Sequence, residues 1–89
     1  MTDELIKIRN RIDEIDRRIL TLLEKRVALA KRIALVKKGR GIPIRDEQRE
    51  KELLERVVSQ AEKLGLNPEI TRRIFREIIE LAVDAQRRA

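Results

Sequence analysis

The chain has no cysteine, histidine, tryptophan or tyrosine, and a single phenylalanine. Each absence removes a class of function. Without cysteine there are neither disulfides nor thiolate metal ligands. Without histidine the commonest general base and the commonest metal ligand are gone. The lone Ser59 therefore has no imidazole to activate it. One aromatic ring leaves no platform for stacked bases and few cation cages. No apolar run reaches the roughly 20 residues of a membrane span, and no signal peptide precedes the first charges. No membrane association is expected, and the expected location is the cytoplasm. No stretch alternates with period two, so no strand is expected. Internal repeats and low-complexity linkers are missing as well.

What is present is charge and helical periodicity. Charged residues make up 43% of the chain and hydrophobic residues 42%, with 22 Lys+Arg against 16 Asp+Glu. The surplus of +6 suits an anionic partner: a nucleic acid, an acidic surface or a small polyanion. A length of 89 residues makes one small domain, residues 1–89, with a modest core of its own.

Apolar residues fall at Leu5, Ile8, Ile12, Ile15, Ile19, Leu22, Leu29, Ile33 and Val36. This heptad seam predicts one helix from about residue 2 to about residue 38. Thr2 is the expected N-cap, with Asp3 and Glu4 favourable in the first turn. Gly39 and Gly41 are expected to end the helix, and Pro43 to prevent its resumption. Asp46 caps an expected second helix to about residue 64, where Gly65 stops it. Asn67 and Pro68 open a third, from about residue 68 to about residue 87.

Lengths then decide the assembly. At about 1.5 Å per residue, helix 1 is about 55 Å long and helices 2 and 3 about 30 Å each. A hairpin of the two shorter helices can cover about half of helix 1, yet its seam runs the full length. A second copy of the chain is the simplest cover for the rest. The expected architecture is an all-α, intertwined homodimeric helical bundle.

Several charges sit where core-facing residues belong. The seam continued past Leu22 meets Arg26, and Arg26, Ala30, Ile33 and Lys37 share one helical face. Glu50 begins the apolar stripe of helix 2, with Asp46 one turn before it and Arg49 beside it. The inward face of helix 3 ends in Gln86, and Arg9 flanks the seam at the far end of helix 1. Each has an ordinary reading alone: Arg26 snorkelling to water, Asp46 as a cap, Arg49 as a solvated residue, Glu50 as the partner of a nearby cation, Lys37 on the helix dipole, Gln86 near a frayed end. Together they describe a water-poor pocket for a small dianion that also carries a hydroxyl.

The segments "IRNRIDEIDRRILTLLEKR", Lys37, "IPIRDEQRE" and "IFREIIELAVDAQ" resemble the all-helical chorismate mutase family over nearly the whole chain. The shortness of the chain resembles the free-standing form. The resemblance implies an intertwined dimer of three-helix chains, no metal and no cofactor, and the rearrangement of chorismate to prephenate on the route to phenylalanine and tyrosine. It implies that Arg26 grips one substrate carboxylate and that the other subunit supplies Arg9. Arg49 would lie near the ring carboxylate. Lys37 would bond a carboxylate and the ether oxygen, and Gln86 would donate to that same oxygen. Glu50 and the backbone at Asp46 would meet the ring hydroxyl, and Ile33 would line the pocket. One departure is Ala82, where members often carry a serine or another polar residue; Arg45 is a candidate to compensate.

The residue inventory agrees with such chemistry. A Claisen rearrangement is unimolecular and concerted and needs no nucleophile, proton relay or metal. It needs a compact substrate conformation and donors where charge grows on the ether oxygen. Three other readings compete. Nucleic-acid binding would use the positive charge, but no aromatic stacks and no recognition helix is evident. A non-catalytic basic helical dimer would leave Arg26 and Glu50 without a purpose on the seam. An isochorismate-pyruvate lyase shares the fold and a similar basic pocket, and the "GRGIPIRDEQRE" segment with Glu50 favours the mutase over it.

Overall fold

The computed structural model describes residues 2–89. Three helices follow in order, with no strand among the described residues: α1 (Thr2–Arg40), α2 (Glu47–Lys63) and α3 (Pro68–Arg88). No helix among them is long and apolar enough to cross a membrane. The expected cap at Thr2 concerns a side chain outside those described.

The ends of the helices follow local rules. Asp46 sits in extended geometry and its side chain accepts from the Arg49 backbone N–H at 3.0 Å. Asn67 does the same for Ile70 at 2.9 Å, and Pro68 follows at the first helical position. α1 runs further than expected. Gly39 is helical, and the chain leaves the helix at Gly41, whose φ is +66°. There the Ile42 N–H reaches the Lys37 carbonyl at 2.9 Å and the Gly41 N–H reaches Lys38 at 3.4 Å. This pair of bonds satisfies carbonyls that would otherwise be orphaned, and it needs a left-handed residue at one point only. Gly65 repeats the device after α2, with φ +72° and bonds from Leu66 to Ala61 and from Gly65 to Glu62.

α3 packs against both α1 and α2, whereas α1 and α2 do not pack against each other. The expected hairpin thus covers α1 through one of its helices only. Buried Ala30 and Ala34 on α1 are small and permit a close approach to that neighbour. Leu54, Ile79 and Val83 form the centre of the core, with Ile44, Leu53 and Phe75 packed against it. Burying a side chain of this size contributes about 1.5–3 kcal/mol. The molecule measures 59 × 26 × 14 Å, and α1 alone accounts for the long dimension.

The N-terminal half of α1 is left uncovered by the described residues. Every residue from 3 to 22 is exposed, including the seam residues Leu5 and Ile15, at 47% and 53%. The uncovered seam anticipated from the helix lengths is therefore present.

Candidate active site

A cavity of about 290 Å³ opens between α1, the loop after it, α2 and α3. It exists because α1 and α2 both lean on α3 while remaining apart from each other. α1 contributes Arg26, Ala30, Ile33 and Lys37, with Leu29 beside them. Their spacing places them on one face, and Ala30 leaves room between the two cations. The loop and the start of α2 contribute Ile44, Asp46, Arg49, Glu50 and Leu53, and α3 contributes Ile79, Ala82, Val83 and Gln86. The wall is thus apolar, with polar groups entering from every element.

Arg26, Lys37, Glu50 and Gln86 are half-buried, whereas Ile33, Asp46 and Arg49 are exposed. Among the described residues, the ion pairs join Arg45 to Glu50 and Glu80, Arg72 to Glu69, and Arg88 to Asp84. None takes up Arg26, Lys37 or Arg49. Three cations thus face one cavity without a carboxylate partner, an arrangement suited to an anion with more than one charged group.

Lys37 is held in place from two sides. Its Nζ donates to the Ile44 carbonyl at 2.5 Å and to Gln86 Oε1 at 3.4 Å. An ammonium only donates, so the Gln86 atom that it meets is the carbonyl oxygen. The Gln86 amide NH₂ is thereby left to donate elsewhere. One Asp46 oxygen caps α2, so this carboxylate serves the helix. Glu50 takes a side-on bond from Arg45: Nε donates to Oε2 at 3.1 Å and Nη2 to Oε1 at 3.0 Å. The same guanidinium binds Glu80 on α3 through Nη1 and Nη2. Its bonds to the Glu80 carboxylate, and then to that of Glu50, push the Arg45 guanidinium above its ordinary range. Arg45 in turn holds the Glu80 carboxyl below its ordinary value of 4.5.

Of the residues expected at the site, Arg26, Ile33, Lys37, Asp46, Arg49, Glu50 and Gln86 line the cavity, and Arg9 does not. Arg9 lies 17 positions before Arg26 on the same straight helix, about 25 Å away along its axis. Arg45 does not fill the place left by Ala82: it lies outside the cavity lining, and its guanidinium is committed to two carboxylates. Sequence reasoning missed Glu80 altogether. It also missed the apolar wall residues Ile44, Leu53 and Val83. Leu53 and Val83 carried a signal, because they belong to helical stripes bordering the polar positions, whereas Ile44 lies in the loop between α1 and α2. Glu80 carried none, since its partner is a loop residue and loops have no periodicity to read.

The chorismate mutase type II family model matches residues 8–87. A chorismate mutase of Methanocaldococcus jannaschii is 40% identical over 80 residues, which span 90% of this chain and 81% of that protein. The bifunctional chorismate mutase/prephenate dehydratase of Escherichia coli is 35% identical over 88 residues. That match spans 97% of this chain and 23% of the bifunctional protein. A solved structure, a conserved hypothetical protein from Pyrococcus furiosus, superposes with a TM-score of 0.72 at 36% identity, covering 92% of this chain and 93% of the other. A three-helix fold with a cation-lined cavity, matched over nearly its whole length, therefore has a family: the chain belongs to the chorismate mutases of type II.

Proposed function

We propose that the cavity binds chorismate as a dianion and carries its rearrangement to prephenate. In that reaction the ether C–O bond breaks as a C–C bond forms between the enolpyruvyl terminus and the ring. Three electron pairs move in a cycle and no proton is transferred. The protein's part is to hold the compact conformer and to stabilise the charge that grows on the ether oxygen. The bifunctional relatives are named for a mutase joined to a prephenate dehydratase, which suits a place on the route to phenylalanine and tyrosine.

In this reading Arg26 grips one carboxylate through two parallel bonds, and Arg49 lies toward the ring carboxylate. Lys37 and the free amide NH₂ of Gln86 aim at the ether oxygen. Their mutual bond sets both donors before substrate arrives, so little reorganisation is needed during reaction. Glu50 and the backbone at Asp46 receive the ring hydroxyl, and Ile33 closes one wall. Ala82 provides no hydrogen bond to a carboxylate.

Arg9 enters this scheme from a second copy of the chain. The exposed seam of α1 supports an intertwined homodimer, because an apolar stripe of this length is unfavourable in water. Antiparallel pairing along it would bring the far end of one α1 toward the other copy's cavity.

The observation that carries the reading is the set of three cations, without a carboxylate partner among the described residues, around an apolar cavity where Lys37 meets Gln86. The test is incubation of the protein with chorismate and, separately, with isochorismate, followed by product identification. Prephenate from chorismate is expected. Pyruvate from isochorismate without prephenate from chorismate would replace the mutase reading with a lyase.

A further inference from the structure

We propose that Arg45 is a positioning residue for this rearrangement: anchored by Glu80 on α3, it fixes the Glu50 carboxylate in the orientation that receives the substrate's ring hydroxyl. The proposal rests on the reading of the cavity as a chorismate site. Arg45 and Glu80 do not line the cavity, so they act through Glu50.

The geometry has three parts. Arg45 holds both oxygens of Glu50, through Nε at 3.1 Å and Nη2 at 3.0 Å. A side-on pair of this kind sets the plane of the carboxylate and not merely its position. Each carboxylate oxygen can accept a second bond, so acceptor capacity remains for a hydroxyl. Nη1 reaches Glu80 Oε2 at 3.4 Å, and Nη2 is shared with Glu80 Oε1. The side chain of Glu50 is 21% exposed and that of Glu80 is 44% exposed. Glu80 therefore forms the solvent side of the bridge and Glu50 the cavity side.

A second consequence concerns charge. Lys37, Arg26 and Arg49 line the same cavity as Glu50 and have no carboxylate partner among the described residues. An unrestrained Glu50 would be drawn toward them, and any such pair would occupy a donor that the substrate needs. Arg45 satisfies Glu50 from outside and leaves the cavity's cations to the ligand. The bridge also ties the loop to α2 and α3.

The test uses wild type, Arg45→Lys, Arg45→Met, Glu80→Gln, Glu50→Gln and the Arg45→Met/Glu50→Gln double variant. Each is assayed with chorismate and with an analogue lacking the ring hydroxyl. Arg45→Met should lower kcat/KM for chorismate by about 10- to 100-fold, the range typical of a lost supporting hydrogen bond behind a reacting site. Arg45→Lys keeps the charge but not the fork, and should recover only part of this. Glu80→Gln should cause a smaller loss of the same kind. In the Glu50→Gln background, Arg45→Met should cost little more. The ratio of the two substrates' rates should fall toward that of Glu50→Gln. Because that ratio is read on one preparation, partial unfolding does not mimic it. Additive losses in the double variant, or an unchanged substrate ratio in Arg45→Met, would overturn the positioning role while wild-type turnover upholds the cavity reading. No rearrangement of chorismate by wild type would overturn both.

Discussion

Lys37 and Gln86 are 49 positions apart in the chain, and their side chains meet at 3.4 Å across the cavity. One lies in the last turn of α1 and the other near the end of α3, so the contact depends on how those two helices pack. It joins a cation to the carbonyl end of an amide and leaves the other end free to donate. Such a pair can support a developing oxyanion without exchanging a proton.

The first prediction follows from this pair. A carboxylate in place of the Gln86 amide cannot donate, and its charge would oppose charge on the ether oxygen. A protonated carboxyl can donate. Gln86→Glu should therefore be slow at neutral pH and quicken as the pH falls. Lys37 acts to lower the pKa of the new group, whereas burial and the substrate's charges act to raise it. Wild type should be comparatively flat from about pH 5 to 8, since ordinary carboxylates and lysines change charge little there. Rate against pH, with helicity checked at each point, decides the matter. A variant rate that climbs with pH would remove Gln86 as the donor.

Arg26→Ala and Lys37→Ala should each reduce kcat/KM by at least about 100-fold, the usual effect of removing one donor to a developing charge. Both residues are only half-buried, so the helical signal should persist. Circular dichroism alongside kinetics separates the two effects. Activity lost only in proportion to helicity would mean a structural role.

A dimer should sediment at about twice the 10.5 kDa chain mass. Arg9→Ala should inactivate although Arg9 lies far from the cavity of its own chain. Mixing Arg9→Ala with Arg26→Ala under conditions of subunit exchange should restore activity, because one site per mixed dimer regains both arginines. An active monomer, or no recovery despite proven exchange, would end the shared-site reading.

The Arg45–Glu80 pair makes a prediction for stability. Arg45 depresses the folded-state pKa of Glu80 below its ordinary 4.5. A depressed carboxyl pKa stabilises the fold above the unfolded value, and that contribution disappears as pH falls through the folded value. Glu80→Gln should thus lower Tm slightly at pH 7, with the difference from wild type closing below about pH 4. The pair is largely exposed, so added salt should shrink the effect. A gap between wild type and variant that widens in acid would contradict the assignment.

Helical structure in this chain was legible because its signals are local. The heptad seam, the caps at Asp46 and Asn67 and the glycines at 41 and 65 each act within a turn or two. The charged residues on inward faces were legible for the same reason, since a helix period says which side chains share a face. Gly39 was misread because two glycines stood near the end and the left-handed position falls at only one of them.

By itself the sequence determined three helices, the caps at Asp46 and Asn67, an unmatched length of apolar seam and a set of cations placed among core residues. Only the tertiary structure decided that α3 separates α1 from α2, and this separation makes the cavity. The tertiary structure also decided that Lys37 meets Gln86, that Arg45 joins Glu50 to Glu80, and that Arg9 stands away from its own chain's cavity. The reason is physical. Periodicity and capping are written in residues a few positions apart, whereas the register between packed helices depends on how side-chain volumes from distant parts of the chain fill the space between them.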